Sequence, residues 1–576
     1  MRSTLLKLAF AVLPLAACAT VPTHAVRVEL PDAAGAATSG TGMVSAADPR
    51  AAAAGVEMLR EGGTAADAAF ATLLALNVVE PQSSGIGGGG YLLYSDRGGA
   101  AVSYDGREIA PAAATGTWFF KDGQPMAFSD AQPGGKSVGV PGNVRMMALA
   151  HRDHGKLAWA ALFQPAIKLA RDGFAITPRL HNSLDHYRTT GAFSAEARSI
   201  FYNSDGSAKA VGTVVKNPAF AAYLEQLAAR GPDSFYVGPN AQAISAAVQG
   251  SPHNPAPLTT GDIASYSARP EPPVCGTYRG YRICGMGPSS SGGFIVLATL
   301  KQLERFNLSA LGPHSPTAWH LIAESERLAY ADRDKYLADA SFVHVPLAGL
   351  TDPAYLASRS ALISPTSTIP DATAGTPAGA GTACAPPLQP ERGTSHFVAA
   401  DRWGDVASET STIESSFGSG IMVNGYYLNN ELTDFSFVPE KDGCPVANRV
   451  EGGKRPRSSM SPTLVYAPDG KLVLGVGAAG GSTIPAQVAK AIIGVIDFHL
   501  SPQEAIALPV IVAPGGNTVY LESGTFLADM APQLQQLGHT IDYRPPGTFK
   551  ANAIEWLNGR WVGGADPRSE GAVVAQ

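Results

Sequence analysis

The sequence predicts a mixed α+β protein, because helical and strand patterns both recur along the chain. Residues 47–62 and 65–79 have the pattern of two helices, and the second ends before Pro81 and leads into a strand at 91–94. Residues 396–400 and 406–413 alternate in polarity like two strands paired across a turn. Further helices are predicted at 157–172, 217–230, 240–249, from Ser315 onward and at about 484–498, with another strand at 472–477.

The second helix and the glycines after it form a compact block. Thr64 is a suitable N-cap, and Asp67 is the only charged residue between positions 65 and 79, so we expect this helix to be buried on most sides. The following run contains Gly85 and the four glycines 87–90. No Gly-Lys-Ser or Gly-Lys-Thr completes a phosphate-binding loop here, so the glycines predict tight backbone packing instead.

The overall composition limits the function classes. The chain has 576 residues, of which 45% are hydrophobic and 16% charged, so it can bury a large core like an ordinary globular protein. Length alone would suggest about three or four domains. The formal net charge of −6 provides no basic surface for a nucleic acid. Small-molecule chemistry is therefore the default expectation.

The N-terminus predicts export from the cytoplasm. A positively charged start is followed by an apolar run from residue 8 to 17 and small residues before Cys18, the pattern of a secretory signal in residues 1–18. Leu15-Ala16-Ala17-Cys18 also resembles a bacterial lipobox, in which the cysteine carries a lipid. A plain signal peptide cut nearby is the alternative. Either interpretation places the mature protein in the periplasm, and the first attaches it to a membrane through Cys18.

The other cysteines predict disulfides. Cys275, Cys284, Cys384 and Cys444 are an even number in an exported chain, and three connectivities are open. Cys275 and Cys284 flank a sequence that predicts a hairpin, which favours their pairing and leaves Cys384 with Cys444. A zinc site is disfavoured because the chain has no Cys-x-x-Cys pair.

The segment Gly393-Thr394-Ser395-His396 carries the main chemical hypothesis. A threonine hydroxyl is a weak nucleophile until a base removes its proton, and an N-terminal threonine has such a base in its own α-amine. Cleavage of the Gly393–Thr394 bond would create that amine. Gly393 suits the cleavage site because a residue without Cβ tolerates close approach of the attacking hydroxyl.

Several motifs in order resemble the γ-glutamyltransferase family, whose members are made as one chain and cleave themselves before a threonine. The matching segments are 42–94, 104–111, 288–293, 324–339, 393–397, 454–462, 478–483 and 564–568. The resemblance implies an N-terminal-nucleophile αββα four-layer sandwich, built jointly by a large subunit, 19–393, and a small catalytic subunit, 394–576. A shared core replaces the domain count that length suggests.

The end of the predicted large subunit has an unusual composition. Residues 364–393 are rich in Ala, Gly, Thr and Pro, and such a segment has too little apolar surface to order itself. It predicts a flexible tail that leads to the cleavage site and moves away after cleavage.

The resemblance also implies roles for individual residues. Thr394 is the nucleophile, Thr412 orients it, and the backbone of Gly480 and Gly481 forms the oxyanion hole. Arg107, Ser458 and Ser459 bind the substrate α-carboxylate. Three acidic residues bind the α-ammonium: Glu414, where many family members have Asn, together with Glu431 and Asp434.

The implied reaction is acyl transfer through a threonine ester. The donors are glutathione and other γ-glutamyl compounds, and the acceptor is water, an amino acid or a dipeptide. No metal or organic cofactor is expected. The preferred acceptor and the presence of a lid at 437–453 stay open.

Three rival functions remain. A related acylase would act on another acyl group, as cephalosporin acylases do. A serine hydrolase would use Ser137, since Gly135-Lys136-Ser137-Val138-Gly139 fits Gly-x-Ser-x-Gly, although the glycines and Pro141 that follow disfavour the required helix. A surface lipoprotein could mature and only bind ligands. His320, in the helix that starts near Ser315, is predicted to be structural.

Overall fold

The computed structural model describes residues 39–96, 98–385 and 393–576. The predicted signal peptide and Cys18 lie outside the described residues. In the part of the chain that is described, no helix combines the length and apolarity needed to cross a membrane.

Two seven-stranded sheets form the centre of the molecule. Their strands, in chain order, are β1 Ser39–Gly40, β2 Met43–Ala46, β3 Gly89–Ser95, β4 Ala101–Asp105, β5 Arg269–Glu271, β6 Val274–Tyr278, β7 Tyr281–Gly285, β8 Ser395–Ala400, β9 Val406–Thr412, β10 Thr463–Tyr466, β11 Leu472–Ala479, β12 Lys550–Leu557, β13 Arg560–Ala565 and β14 Ala572–Ala575. The first sheet has the order β1-β13-β12-β11-β10-β7-β6, and the second has the order β14-β2-β8-β9-β3-β4-β5. All neighbouring strands within these two sheets are antiparallel.

Longer helices cover the sheets and surround them. They are α1 Pro49–Arg60, α2 Ala65–Val79, α3 Asn143–His154, α4 Gln164–Asp172, α5 Pro178–His186, α6 Pro218–Arg230, α7 Pro239–Gln249, α8 Gly292–Leu303, α9 Pro316–Tyr336, α10 Pro353–Ser360 and α11 Ile484–Ile496. Shorter helices lie at Phe128–Ala131, Arg188–Gly191, Ala195–Phe201, Asp233–Tyr236, Thr260–Ala264, Leu308–Leu311, Leu347–Leu350, Pro502–Ala507, Phe526–Asp529 and Ala531–Gln536.

The layers follow the order helix, sheet, sheet, helix. Helices α1 and α2 share a hydrophobic core with the outer face of the second sheet, where Phe397 and Ala399 point. The inner faces of the two sheets pack together, and α11 covers the first sheet with residues such as Val488 and Ile492. Each sheet contains strands from both sides of position 393, so the two predicted subunits share one core. This confirms the predicted four-layer sandwich.

The elements end close to their predicted limits because local signals agree with packing. Helix α2 occupies residues 65–79 as expected, Thr64 and Asp67 form a capping box, and every residue of the helix is buried. Helix α9 begins after the cap Ser315. The predicted helix at 157–172 begins with a 3₁₀ turn, Trp159–Phe163, and becomes α-helical only as α4.

The glycine run packs as the sequence predicts. A Cβ on Gly88 would lie 1.9 Å from the Thr412 carbonyl oxygen, and one on Gly87 would lie 2.0 Å from the Tyr427 carbonyl oxygen. Only glycine permits these backbones to approach so closely. The run therefore holds the end of β9, where Thr412 lies, against β3.

Both expected disulfides are present. Cys275 and Cys284 face each other across the β6–β7 pair and are bonded. Cys384 is bonded to Cys444, which connects the chain before position 393 to the chain after it.

The described part of the predicted tail, 364–385, contains no helix or strand but is held on α9. The Ile369 N–H donates to the Glu324 carboxylate at 2.5 Å, and the Gly375 N–H donates to Asp332 at 2.7 Å. Residues 386–392 lie outside the described residues. Movement of the tail after cleavage stays a prediction.

Ser137 lies in the 3₁₀ turn Gly135–Ser137, and an extended residue follows it rather than a helix. Its buried hydroxyl lies 2.6 Å from the Gln132 carbonyl and 3.0 Å from the Gly134 carbonyl. A serine held in this way stabilises a turn, and the strand-to-helix elbow of a serine hydrolase is not formed here.

Candidate active site

A small cavity lies where β8 begins and β9 ends. The site residues predicted from the sequence gather around it. Its lining consists of Arg107, Thr394, Thr412, Glu414, Glu431, Asp434, Ser458, Ser459, Met460, Gly481 and Ile484. Residues separated by more than 350 positions in the chain thus meet in one small space.

Thr394 lies at the entry to β8, directly before Ser395. Its hydroxyl lies 3.3 Å from the Thr412 hydroxyl at the end of β9, because the antiparallel register brings the two strand ends together. Thr394 is 4% exposed and has a φ of 96°, a conformation that β-branched residues rarely adopt. The surrounding structure therefore holds Thr394 in a strained backbone conformation.

The carbonyl of Gly393 is held by the opposite sheet. The Gly480 N–H, just after β11, donates to the Gly393 carbonyl oxygen at 3.1 Å. This is the carbonyl that the Thr394 hydroxyl would attack in a self-cleavage reaction. A backbone N–H aimed at such an oxygen is the geometry that stabilises a developing oxyanion. Gly481 lines the cavity beside it.

Arg107 lies on the far side of the cavity and is fully buried. Its guanidinium pairs with the Glu431 carboxylate and with Asp434, and donates to the backbone carbonyls of Pro456 and Arg457. From the sequence, we expect a substrate cation between the carboxylates of Glu414, Glu431 and Asp434. In the structure, Arg107 itself already pairs with two of them.

Glu414 follows β9 and lies near Thr394. Its carboxylate accepts hydrogen bonds from the Ser415 hydroxyl and, at 2.7 Å, from the Asn430 side chain. Its backbone N–H donates to the Thr412 hydroxyl oxygen at 2.7 Å. The Thr412 hydroxyl oxygen therefore accepts from both the Thr394 hydroxyl and the Glu414 N–H, which fixes its position beside Thr394.

Ser458 and Ser459 also line the cavity. The Ser458 hydroxyl accepts from the Met460 N–H at 3.1 Å. The Ser459 hydroxyl accepts from the Arg333 guanidinium at 2.8 Å, so Arg333 on α9 fixes the position of the Ser459 side chain. The two hydroxyls keep protons that a bound carboxylate could accept.

A second carboxyl, Glu108, lies beside Glu431 beneath the cavity. Burial raises the pKa of Glu108 to about 8. Burial also raises the pKa of Glu431, against the opposing effect of Arg107, and the neighbouring Glu108 raises it further. Two carboxyls in contact without water share a proton more easily than both ionise.

Residues 437–453, where the presence of a lid stayed open, do not line the cavity. Residues 437–453 include the short hairpin Glu440–Lys441 with Cys444–Pro445, and Phe437 stacks on Phe119 at 4.3 Å. No residue of this fully described segment lines the cavity.

His320 is hydrogen-bonded as a structural residue would be. Its Nδ1 lies 2.7 Å from Nε2 of His539, and its Nε2 lies 2.8 Å from the Ser364 carbonyl. These two rings and Glu324 are close enough to hold a metal ion, but the Glu324 carboxylate is paired with Arg327.

Sequence reasoning missed several contributing residues. Arg333, Asn430, Met460 and Ile484 contact or support the cavity without having been assigned a role. The resemblance of residues 324–339 to a known family was a usable signal for Arg333. Nothing in the local pattern points to Ile484, which reaches the cavity because α11 begins beside Gly481.

The fold and site define the class of protein. A four-layer αββα sandwich with a buried threonine at the start of a central strand is the architecture of the N-terminal-nucleophile hydrolases. Within that class, the family model described as Gamma-glutamyltranspeptidase matches residues 51–576, and the chain belongs to this family.

Individual relatives carry two kinds of activity in their names. The chain is 36% identical over 546 residues to the glutathione hydrolase proenzyme of Bacillus subtilis (strain 168), covering 92% of this chain and 91% of that protein. It is 33% identical over 548 residues to the acylase ACY 1 proenzyme of Pseudomonas sp. (strain SE83), covering 94% of each. The structure of a cephalosporin acylase from Bacillus halodurans matches with a TM-score of 0.83 at 28% identity, covering 94% of this chain and 97% of that one.

Proposed function

We propose that the chain is a proenzyme that cleaves its own Gly393–Thr394 bond and then transfers γ-glutamyl groups. The observation that carries this proposal is the arrangement at the bond itself. The Gly480 N–H holds the Gly393 carbonyl, and the Thr394 hydroxyl is hydrogen-bonded to Thr412 next to it. Attack of the hydroxyl on that carbonyl breaks the peptide bond, which frees the Thr394 α-amine and leaves Gly393 as an ester on the Thr394 oxygen. Water then hydrolyses this ester, which releases the Gly393 carboxylate and frees the Thr394 hydroxyl.

The mature site would use the same parts on a substrate. The Thr394 amine, with an ordinary pKa of about 7.7–8.0, takes the hydroxyl proton as the oxygen attacks a γ-amide carbonyl. Gly480 and Gly481 stabilise the oxyanion, and each such donor is worth about 3 kcal/mol. The amine of the leaving group takes the proton, and water or an amino acid then releases the γ-glutamyl group from the ester.

The cavity supports an amino-acid substrate with both of its charges bound. Arg107, Ser458 and Ser459 line the cavity and would bind the α-carboxylate. Glu414 and Asp434 also line the cavity and would bind the α-ammonium. Arg107 would have to share its guanidinium between the substrate and its present carboxylate partners.

Intact mass and N-terminal sequencing test the cleavage. We expect purified wild-type protein to give two fragments, the smaller beginning Thr-Ser-His-Phe. Thr394→Ala should remain one chain and should not turn over γ-glutamyl amides. A wild-type chain that stays whole and is still active would contradict the mechanism.

An acylase that acts on a different acyl group is the second candidate, because one relative and one matching structure are named acylases. The two candidates differ in whether the α-charges of the substrate matter. A γ-glutamyl anilide and a butyryl anilide have the same four-carbon acyl chain, but only the first has an α-ammonium and an α-carboxylate.

Arg107→Ala separates these candidates by kinetics on the two anilides. If the substrate is a γ-glutamyl compound, the loss of charge-assisted hydrogen bonds should raise KM for its anilide about 10- to 100-fold. Self-cleavage of the variant serves as the control for folding, because this step uses no α-carboxylate. An unchanged KM with better turnover of the butyryl anilide would favour the acylase.

A further inference from the structure

A buried cluster of three polar residues lies next to Thr394. Lys550 Nζ lies 3.2 and 3.0 Å from the two carboxylate oxygens of Glu80, and 3.2 Å from the Ser395 hydroxyl. The Ser395 hydroxyl donates to the Glu80 carboxylate at 2.7 Å. The three residues are at most 3% exposed. They form a set of mutual hydrogen bonds around the Lys550–Glu80 ion pair, and the partly exposed Arg179 side chain places its guanidinium 3.6 Å from the Glu80 carboxylate.

The cluster connects three elements that meet only in the folded protein. Glu80 is the C-cap of α2, Ser395 is the first residue of β8, and Lys550 is the first residue of β12. Glu80 precedes position 393, and the other two residues follow it. The ion pair therefore joins the parts of the chain that become the large and small subunits.

Lys550 also contacts the segment that holds the Gly393 carbonyl. Its backbone pairs with Ala479, the residue before Gly480, in the register of β11 and β12. The Gln487 side chain accepts from the Lys550 N–H at 3.2 Å and donates to the Ala479 carbonyl at 2.8 Å. Lys550 thus contacts both β11, which leads directly to Gly480, and Ser395, which follows Thr394.

From this arrangement we propose that Lys550, Glu80 and Ser395 are positioning residues that hold Thr394 for attack. The inference rests on the proposed self-cleavage and names the groups that prepare it. Thr394 has a strained φ of 96°, which it keeps only if its neighbours are fixed. Ser395 is its next neighbour, and the buried ion pair fixes the Ser395 side chain. Buried ion pairs add little net stability, so this one contributes by fixing the position of Ser395 rather than by stabilising the fold.

Ser395→Ala and Lys550→Met test the proposal in the full-length chain. We expect each to slow self-cleavage at least tenfold, because small displacements of reacting groups cost up to about 100-fold in rate. In protein that has matured, kcat for a γ-glutamyl anilide should fall while KM stays near the wild-type value, since the cavity residues are unchanged. Lys550→Arg keeps the ion pair and should cleave faster than Lys550→Met.

Lys490→Met is the matched control for the loss of a buried lysine. Lys490 on α11 is also buried, and its ammonium donates to the carbonyls of Ile506 and Leu508, away from the cluster. This variant should lower the thermal midpoint yet cleave at the wild-type rate. Wild-type cleavage rates in Ser395→Ala and Lys550→Met, or an equal slowing in Lys490→Met, would overturn the proposal. A wild-type chain that never cleaves would instead contradict the proposed function.

Discussion

At the scale of single residues, Gly393 and Thr394 both adopt positive φ, with values of 92° and 96°. A Cβ on Gly393 would lie 1.6 Å from the Glu414 carbonyl oxygen, so no other residue fits this backbone position without displacement. The same position presents the Gly393 carbonyl to Gly480. Glycine is therefore required at position 393 for two reasons: a side chain would collide with Glu414, and the positive φ directs the carbonyl toward Gly480.

Gly393→Ala should block self-cleavage or slow it at least about 100-fold, because it moves the carbonyl away from the hydroxyl. Intact mass after timed incubation measures the rate. Gly231→Ala is the matched control, since Gly231 has a φ of 78° with nothing within 4 Å of a Cβ. The control should lose about 1–2 kcal/mol of stability and cleave normally. Equal cleavage rates for the two variants would contradict this role of Gly393.

At the scale of an element, strand β9 carries functional and structural residues on opposite faces. Thr410 faces the other sheet and lies 2.8 Å from Nδ1 of His396. Glu409 points the other way, into the core near α2. Neither carboxylate oxygen of Glu409 has a hydrogen-bond partner among the described residues. The strand therefore carries a buried acid that the proposed chemistry does not use.

Burial raises the pKa of Glu409 well above its ordinary value of 4.5. The folded protein keeps this carboxyl protonated where the unfolded chain has lost the proton. Its contribution to stability is thus complete below about pH 4.5 and decreases as the pH rises toward the pKa of the folded state.

Glu409→Gln removes this ionisation at nearly constant size. We expect the variant to gain stability over wild type as pH increases from 5 to 8, by about 1.4 kcal/mol per pH unit below the pKa of the folded state. Urea unfolding of both proteins across this range measures the difference. If the free energies of unfolding of the two proteins change with pH in parallel, Glu409 does not determine the pH dependence of stability.

At the scale of the whole molecule, the two predicted subunits cannot separate without exposing the core. Both sheets take strands from before and after position 393, and the Cys384–Cys444 disulfide adds a covalent connection between the two parts. If self-cleavage occurs, the fragments should therefore remain bonded to each other.

Non-reducing denaturing electrophoresis tests this connection. Cleaved wild-type protein should run as one species, and it should separate into two after reduction. Cys384→Ser should separate without a reductant. Cys275→Ser is the control, because its disulfide lies within the large subunit and its loss should leave the fragments bonded. Two wild-type species without a reductant would contradict the tether.

The sequence by itself determined the local elements, the disulfide of the β6–β7 hairpin and most of the residues around the cavity. These depend on short-range signals, such as the cap Thr64 or the Cys275–Cys284 hairpin, and on motifs whose order resembles a family. Thr412 was placed opposite Thr394 because the strand register follows from the turn between β8 and β9.

Only the tertiary structure decided what surrounds those residues. It placed Arg107 between Glu431 and Asp434, aimed the Gly480 N–H at the Gly393 carbonyl, and brought Lys550 and Glu80 to Ser395. Glu80 and Lys550 are 470 positions apart. The physical reason is that such contacts arise from the packing of distant strands and helices, and no local periodicity or spacing encodes which buried charges will meet.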